Sequence, residues 1–370
     1  MTTPQPSPLP TVSVVIPAYN AMNYLPETLD SALNQTFQDF EVVIINDGST
    51  DPIETWVGQL NHPKVRLISQ ENRGLAAARN AGILAARGEL IAFLDADDLW
   101  APNKLAAQVE MFARSPGVGL VYSWVANINA QGKETGRVLC STAEGSIWPE
   151  LLRGNCIGCG SVPMVRRECF EVLGAFDTQL GSSNEDWDMW LRLAAVYPIR
   201  VVKEVLVYYR QHPNSASRNW LQMERTSKIV LEKAFSAWGK GDWPRQDPKE
   251  RIPHLYHQQI KREAYGNTYL SLAWQPLQCR QKNLRESLRL LSIALGHRRN
   301  ILFSKEFLRL GLAIVLTAVF RDQYSQILHQ LQQTRHQIKR IWQPRRPHPA
   351  RIYTPQLPNR QPAETVASNS

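Results

Sequence analysis

Cysteine is scarce in this chain: five in 370 residues, at Cys140, Cys156, Cys159, Cys169 and Cys279, without regular spacing. Such a set does not make a disulfide scaffold and fits a reducing compartment. Long apolar runs are missing too. The most apolar stretch, Leu310 to Phe320, is bounded by Arg309 and Arg321. A bilayer crossing takes about 20 residues, so this segment is expected in a core or dipping into a membrane surface. The first ten residues, MTTPQPSPLP, are Pro-rich and lack the apolar centre of a secretory leader. The expected location is therefore cytoplasmic, free or peripheral on the cytoplasmic membrane face. No G-x-G-x-x-G follows the first strand pattern, where Pro17-Ala-Tyr-Asn20 stands instead. That argues against a dehydrogenase, and the lack of a basic Gly-rich loop there argues against a nucleotidyltransferase. No internal repeat is visible.

What is present is a 43% hydrophobic chain with a formal net charge of +9, enough apolar residues for a sizeable core. The basic excess falls late, at Arg335, Lys339, Arg340, Arg345, Arg346 and Arg351. Such a tail suits an anionic membrane face or nucleic acid, or is simply solvated. Only Trp342 and Tyr353 accompany the charges, which argues against nucleic acid.

The first hundred residues alternate between two patterns. Val12–Pro17, Glu41–Asn46, Val65–Ile68 and Leu90–Leu94 read as strands. Between them, Leu25, Leu29 and Leu33 share one helix face, with Pro26 in the first turn where its missing N–H does no harm. The Ala-rich Leu75–Ala86 reads as a second helix, ended by Gly88, and Pro102 as the opening of another with Leu105, Val109 and Phe112 inward. Alternation of this kind predicts a parallel sheet covered on both faces, with ligands beyond the carboxyl ends of its strands. Polar residues stand at those ends: Ala18-Tyr-Asn20, Asp47-Gly-Ser-Thr-Asp51 and Asp95-Ala-Asp-Asp98. No strand-like run of comparable quality follows Val207. Helical patterns replace it, such as Asn283–Gly296 with Leu284, Leu288, Leu291 and Leu295 on one face. The predicted division is a disordered start (1–10), an α/β domain (11–217), a helical region (218–343) and a disordered Pro-rich basic tail (344–370).

Three carboxylates within four residues, Asp95, Asp97 and Asp98, repel one another unless a cation sits among them. Oxygen ligands of this kind suit Mg²⁺ or Mn²⁺ bridging to phosphates, while an Asp-rich approach to a helix is the plainer reading. Asp47 in its Gly-containing loop can accept hydrogen bonds from a base or ribose, although Asp-Gly-Ser is also ordinary turn chemistry. In Asn184-Glu-Asp-Trp-Asp-Met-Trp190, acidic groups open an apolar helix, where they either complement its dipole or, with Trp187 beside them, recognise a sugar. Cys156-x-x-Cys159 has no second cysteine pair or His cluster near it, and reads as a plain loop rather than a zinc or redox site.

Six segments in order, Val14–Asn20, Asn46–Asp51, Asn72–Gly82, Phe93–Asp98, Gly174–Asp177 and Glu185-Asp186, resemble family-2 inverting glycosyltransferases of the GT-A fold, from about Val12 to Ser217. That resemblance implies an α/β GT-A domain followed by an α-helical C-terminal region. It implies that Pro17, Tyr19 and Asn20 line a nucleotide pocket, that Asp47 holds the base, and that Arg73 lies near base or ribose. Asp95 would contact ribose or metal waters, Asp97 would ligate Mn²⁺ or Mg²⁺, and His212 would stand near the diphosphate and metal. Asp186 would be the general base, with Glu185 and Trp187 toward the acceptor. The implied partners are a nucleotide-sugar donor, a UDP-sugar being most common in the family, and a saccharide or lipid-linked acceptor. No Gln-x-x-Arg-Trp motif follows Asp186, and no cluster of membrane helices, which points to single-sugar transfer. Arg285, Arg289, Arg298 and Arg299 near apolar helical surface suggest peripheral membrane contact. The alternative reading is an inactive nucleotide-sugar-binding module with a helical interaction region.

Overall fold

The computed structural model describes residues 9–213, 215–240, 254–278 and 282–320. The expectations for residues 1–8, for the 241–253 and 321–343 parts of the helical region with Arg335, Lys339 and Arg340, for the basic tail 344–370 and for Cys279 lie outside these described residues.

Strand β1 (Val12–Ala18) is buried at every position, as is β2 (Phe40–Asp47). Strands so predominantly apolar and wholly buried form where both sheet faces are covered. Between them lies helix α1 (Leu25–Leu33), with Pro26 in its first turn. Helix α2 (Ile53–Leu60), strand β3 (Val65–Gln70), helix α3 (Leu75–Ala85) and strand β4 (Leu90–Phe93) follow. β1 pairs in parallel with β2 and β4, and β2 in parallel with β3. This half of the sheet is the predicted parallel one.

The other half differs. Strand β5 (Leu99–Trp100), helix α4 (Lys104–Arg114), strands β6 (Leu120–Asn129) and β7 (Glu134–Leu139), helix α5 (Trp148–Arg153), strand β8 (Met164–Arg166), helices α6 (Arg167–Leu173) and α7 (Glu185–Ala194), and strand β9 (Ile199–Gln211) follow in order. The sheet reads β3-β2-β1-β4-β8-β6-β9-β5, with β7 on β6. β8 is antiparallel to both β4 and β6, and β5 to β9. The sheet is therefore mixed. Its reversal rests on a three-residue strand, too short to carry a periodicity. α4 begins at Lys104, two residues after the Pro102 expected to open it.

Helix α3 packs directly on β1. A Cβ on Gly82 would lie 2.1 Å from Val15 Cγ1. Gly82→Ala should lower stability by about 1–3 kcal/mol through overpacking, read from urea denaturation. An unchanged midpoint would mean that helix and strand are not in this register.

Helices α8 (Trp220–Lys240), α9 (His254–Leu272), α10 (Gln275–Gln278), α11 (Leu284–His297) and α12 (Lys305–Phe320) complete the described chain. Val230, Leu231 and Phe235 of α8 and Ile260, Ala264 and Tyr265 of α9 join the same buried cluster as the sheet. Asn283 caps α11 by accepting from the Glu286 N–H. The buried face of α11 is Ser287, Leu290, Leu291 and Ala294, and Leu288 is exposed. This corrects the predicted face of Leu284, Leu288, Leu291 and Leu295. The predicted leucines do form one stripe, but the buried face is turned about one residue away from it and shares only Leu291, and it includes the small Ser287 and Ala294 that let neighbouring helices approach.

Candidate functional site

The carboxyl ends of β1, β2 and β4 lie side by side, because the three strands are neighbours in parallel register. After β1, Pro17 is buried, Tyr19 and Asn20 are exposed, and Asn20 takes the left-handed conformation (φ 50°). Its side-chain carbonyl accepts from the Thr50 N–H and hydroxyl, and its own N–H donates to Ser49 Oγ. The loops after β1 and β2 are thereby tied together. Asp47 at the end of β2 is buried. Its Oδ1 accepts from Gln70 Nε2 at 2.6 Å and the Arg73 N–H at 2.9 Å, and its Oδ2 from the Gly74 N–H at 2.8 Å. Asp47 therefore organises the 72–74 loop and leaves the Arg73 side chain exposed at its rim.

The three carboxylates after β4 divide into different environments. Asp98 is fully buried and accepts from the Ser161 hydroxyl (2.6 Å) and the Arg210 N–H (2.8 Å). Burial, with Asp97 and Asp95 nearby, holds its carboxyl well above the usual range. Thr28 Oγ1 donates to the Ala96 and Asp98 carbonyls, and Arg210 Nε donates to the Asp97 carbonyl. Asp98, Thr28, Ser161 and Arg210 thus fix the loop so that Asp95 and Asp97 face outward. Of these four, only Asp98 stands out in the sequence, and there as one of three equivalent carboxylates. Arg210 sits on β9 two residues before His212, and its alternation with the flanking residues on a strand was the available signal.

His212 Nε2 lies 2.8 Å from Asp97 Oδ2, so the end of β9 meets the loop after β4. The Tyr24 ring packs against the imidazole at 5.1 Å and lies under the Arg210 guanidinium. Among the described residues no group of three or more His, Cys, Asp or Glu side chains is arranged to hold a metal. Of the three carboxylates, Asp95 pairs with an arginine and Asp98 is sealed in the interior, which leaves Asp97 as the one turned toward His212. The two donors that do converge, a partly exposed carboxylate and an imidazole, fit Mn²⁺ or Mg²⁺ in a site completed by phosphate oxygens and waters.

Arg79 connects this loop to α7. It is 1% exposed, donates to Asp95 Oδ1 at 2.6 Å and to Glu185 Oε1 at 2.5 Å, and lies over the Phe176 ring. Gly160 makes room for it, since a Cβ there would fall 2.1 Å from Arg79 Nη2. Asn184 precedes α7 in the left-handed conformation (φ 61°), and its amide donates to Thr226 and Ser227 of α8. Asp186 follows in the first turn. Its Oδ1 accepts from the Trp187 N–H at 2.7 Å, and Asn155 Nδ2 reaches its Oδ2 at 3.4 Å. Packed atoms surround Asp186 densely, yet part of its surface stays open. Burial raises both acidic residues, Asp186 to about 6 and Glu185 to about 7, with the Arg79 charge pulling each back down.

Two residues expected toward the acceptor do not reach an open surface. Trp187 is 3% exposed and donates its indole N–H to the Leu151 carbonyl. Glu185 is equally buried against Arg79. Helix α7 is buried almost all round, so Glu185 and Trp187, on opposite sides of it, are both enclosed, and only Asp186 and Arg192 keep part of their surface open. Cys156 and Cys159 are free thiols, and burial raises both.

Residues 13–174 match the profile of Glycosyl transferase family 2. Over 236 residues the chain is 32% identical to an uncharacterized glycosyltransferase of Rickettsia typhi, covering 62% of this chain and 70% of that protein. The chain belongs to Glycosyl transferase family 2. It is also 33% identical over 217 residues to an uncharacterized glycosyltransferase of Rickettsia felis, covering 56% of this chain and 35% of that one. A chondroitin synthase of Pasteurella multocida is 31% identical over 228 residues, covering 60% of this chain and 23% of that protein. The chain thus spans only a minor part of these two longer relatives. Its fold is that of a mannosyltransferase from Pyrobaculum calidifontis solved with GDP-Man and Mn²⁺, with a TM-score of 0.52, 23% identity, and coverage of 92% and 89% of the two chains. The architecture is therefore an α/β GT-A domain with a helical C-terminal region. Among the described residues no helix is long and apolar enough to cross a membrane.

Proposed function

We infer that this chain transfers one sugar from a nucleotide-diphosphate donor, a UDP-sugar in the first instance, to a hydroxyl of a saccharide or lipid-linked acceptor, inverting the anomeric centre. The observation that carries the reading is the convergence at one sheet end of the Asp97–His212 pair and the partly open Asp186, joined through Asp95, Arg79 and Glu185. Family membership and a GT-A neighbour holding GDP-Man and Mn²⁺ support it. Peripheral contact with the cytoplasmic membrane face and a role in cell-surface polysaccharide or glycolipid synthesis agree with this chemistry. The retained Asp95, Asp97 and Asp186 favour an enzyme over a binding module.

In this reading Tyr19, Asn20 and Arg73 border the nucleotide, and Asp47 keeps the loop under the base in shape. Asp95 is oriented by Arg79 toward the ribose. Asp97 and His212 would hold Mn²⁺ or Mg²⁺, which supplies Lewis-acid stabilisation of negative charge on the diphosphate. Asp186 accepts the acceptor's hydroxyl proton as that oxygen attacks from the face opposite the leaving group. Its raised affinity for protons, caused by burial, matches that task near neutrality.

The test is thermal unfolding with UDP, GDP, dTDP and CMP, each with and without Mn²⁺. Ligand at 100 times its Kd stabilises by about 2.7 kcal/mol. One nucleotide should raise Tm, more so with Mn²⁺, and Asp97→Asn should remove the Mn²⁺-dependent part. Absence of any shift would overturn the donor site. A shift accompanied by no consumption of the matching donor across saccharide and lipid-linked acceptors would favour the binding module.

A further inference from the structure

Helix α12 is amphipathic in an unusual sense. Its inner face, Leu310, Ala313 and Thr317, is buried. Its outer face is also apolar: Leu308, Leu312, Val315 and Val319 are between 57% and 66% exposed. Their spacing of four, three and four residues puts them in one stripe along the helix. In the 3-10 turn just before it, Arg299–Phe303, Phe303 is 88% exposed. An aromatic side chain so open, a few residues from a helical apolar stripe, is not the usual scatter of single surface hydrophobics.

The charge bordering the stripe is basic, while the one acidic residue of the helix, Glu306, falls on the far side from it. Helical geometry places Lys305 and Arg309 along one flank of Leu308 and Leu312, and both are exposed. The same turn that carries Phe303 carries Arg299, which lines an open cavity of about 560 Å³ with Arg262, His297 and Arg298. Glu263, also in that cavity, is held by Arg153. Arg262, Arg299, Lys305 and Arg309 have no carboxylate partner among the described residues. Arg289, by contrast, is engaged by Glu224 and Glu286, which removes it from the set of free cations that the sequence suggested.

We propose that α12 and the Arg299–Phe303 turn form a docking surface for an anionic phospholipid bilayer. Phe303, Leu308, Leu312, Val315 and Val319 enter the boundary between headgroups and acyl chains. Lys305, Arg309 and Arg299 meet headgroup phosphates at its edge. A helix of 16 residues lies in the interface plane rather than crossing it. A second copy of this chain packed in parallel through the stripe would bring the like charges of Lys305 and Arg309 together, and a solution dimer of any other geometry is an outcome of the test below. The surface contains none of the residues proposed for donor binding or catalysis, so its failure and theirs are separable.

The test is sedimentation of the full chain with vesicles of phosphatidylglycerol and phosphatidylcholine, and with phosphatidylcholine alone, at low and high salt. The anionic vesicles should retain the protein, and high salt should release much of it. The pair Phe303→Ser and Leu308→Ser should lower the bound fraction about tenfold. Lys305→Glu with Arg309→Glu should abolish the preference for anionic lipid. Both pairs should keep the wild-type Tm and nucleotide-induced shift, since all four positions are exposed. No binding to anionic vesicles at low salt would overturn the proposal. So would binding that neither pair alters, which would move the contact to the basic sequence after residue 320. A solution dimer dissociated by the Ser pair would likewise overturn it in favour of a contact between copies.

Discussion

Asp186→Asn is expected to lower kcat by about 10²- to 10⁴-fold while leaving the Kd for nucleotide within about twofold of wild type. The amide keeps the shape of the side chain and can still accept from the Trp187 N–H, so the start of α7 should survive. What it cannot do is take a proton. A companion experiment uses pH. The base works deprotonated, and burial raises Asp186 to about 6 with Glu185 beside it at about 7. The wild-type kcat/KM should therefore fall as pH drops from about 7 to 5, approaching tenfold per unit, and be level above that window. The two acids interact, so the fall belongs to the pair rather than to one residue. A profile flat to pH 5, where an ordinary exposed carboxylate would still be ionised, would remove Asp186 from the role. Loss of donor binding in Asp186→Asn would do the same.

The parts of this site that sequence made visible are those that follow a strand. β1, β2 and β4 are mostly apolar, and the polar residues at or just beyond their carboxyl ends, Asn20, Asp47 and Asp95 to Asp98, stand out where a parallel sheet binds ligands. What remained hidden depends on long-range closure. Arg79 lies in an Ala-rich helix and looks like a surface charge, yet it is buried between a loop 16 residues on and a helix 106 residues on. Asp98 looks equivalent to Asp95 and Asp97 until Ser161 and Arg210 arrive from β8's approach and β9. Trp187 and Glu185 looked like sugar-binding groups because composition says nothing of which side of α7 faces the core. The mixed half of the sheet escaped for a related reason: β8 is three residues long, and its reversal is fixed by neighbours far away in sequence.

Arg79→Met should be the most damaging single change in the described chain. It removes a buried cation and leaves Glu185, 3% exposed, facing an apolar side chain, with Asp95 unheld at the loop. Breaking a buried pair from one side costs about 3–5 kcal/mol. Part of that cost is avoidable. Arg79 draws the Glu185 proton affinity down, so without it the carboxyl rises further above about 7 and stays protonated at neutral pH. The sign of the pH dependence follows. A carboxyl whose folded pKa is raised above the unfolded value takes up a proton on folding, and its contribution is lost as pH climbs through the folded value. The gap between Arg79→Met and wild type should therefore widen as pH rises above about 7, where wild-type Glu185 is already ionised against its partner. Glu185→Gln added to Arg79→Met should recover part of the loss, because the charge left behind is gone, and the cycle of single and double variants in urea measures the coupling. Stability of Arg79→Met equal to wild type, or additive effects of the two changes, would show that Arg79 does not hold the loop and α7 together. If the coupling is found, the distance between the donor loop and the proposed base is set by one guanidinium, and loss of activity in Arg79→Lys at near-normal stability would separate its positioning role from its contribution to folding.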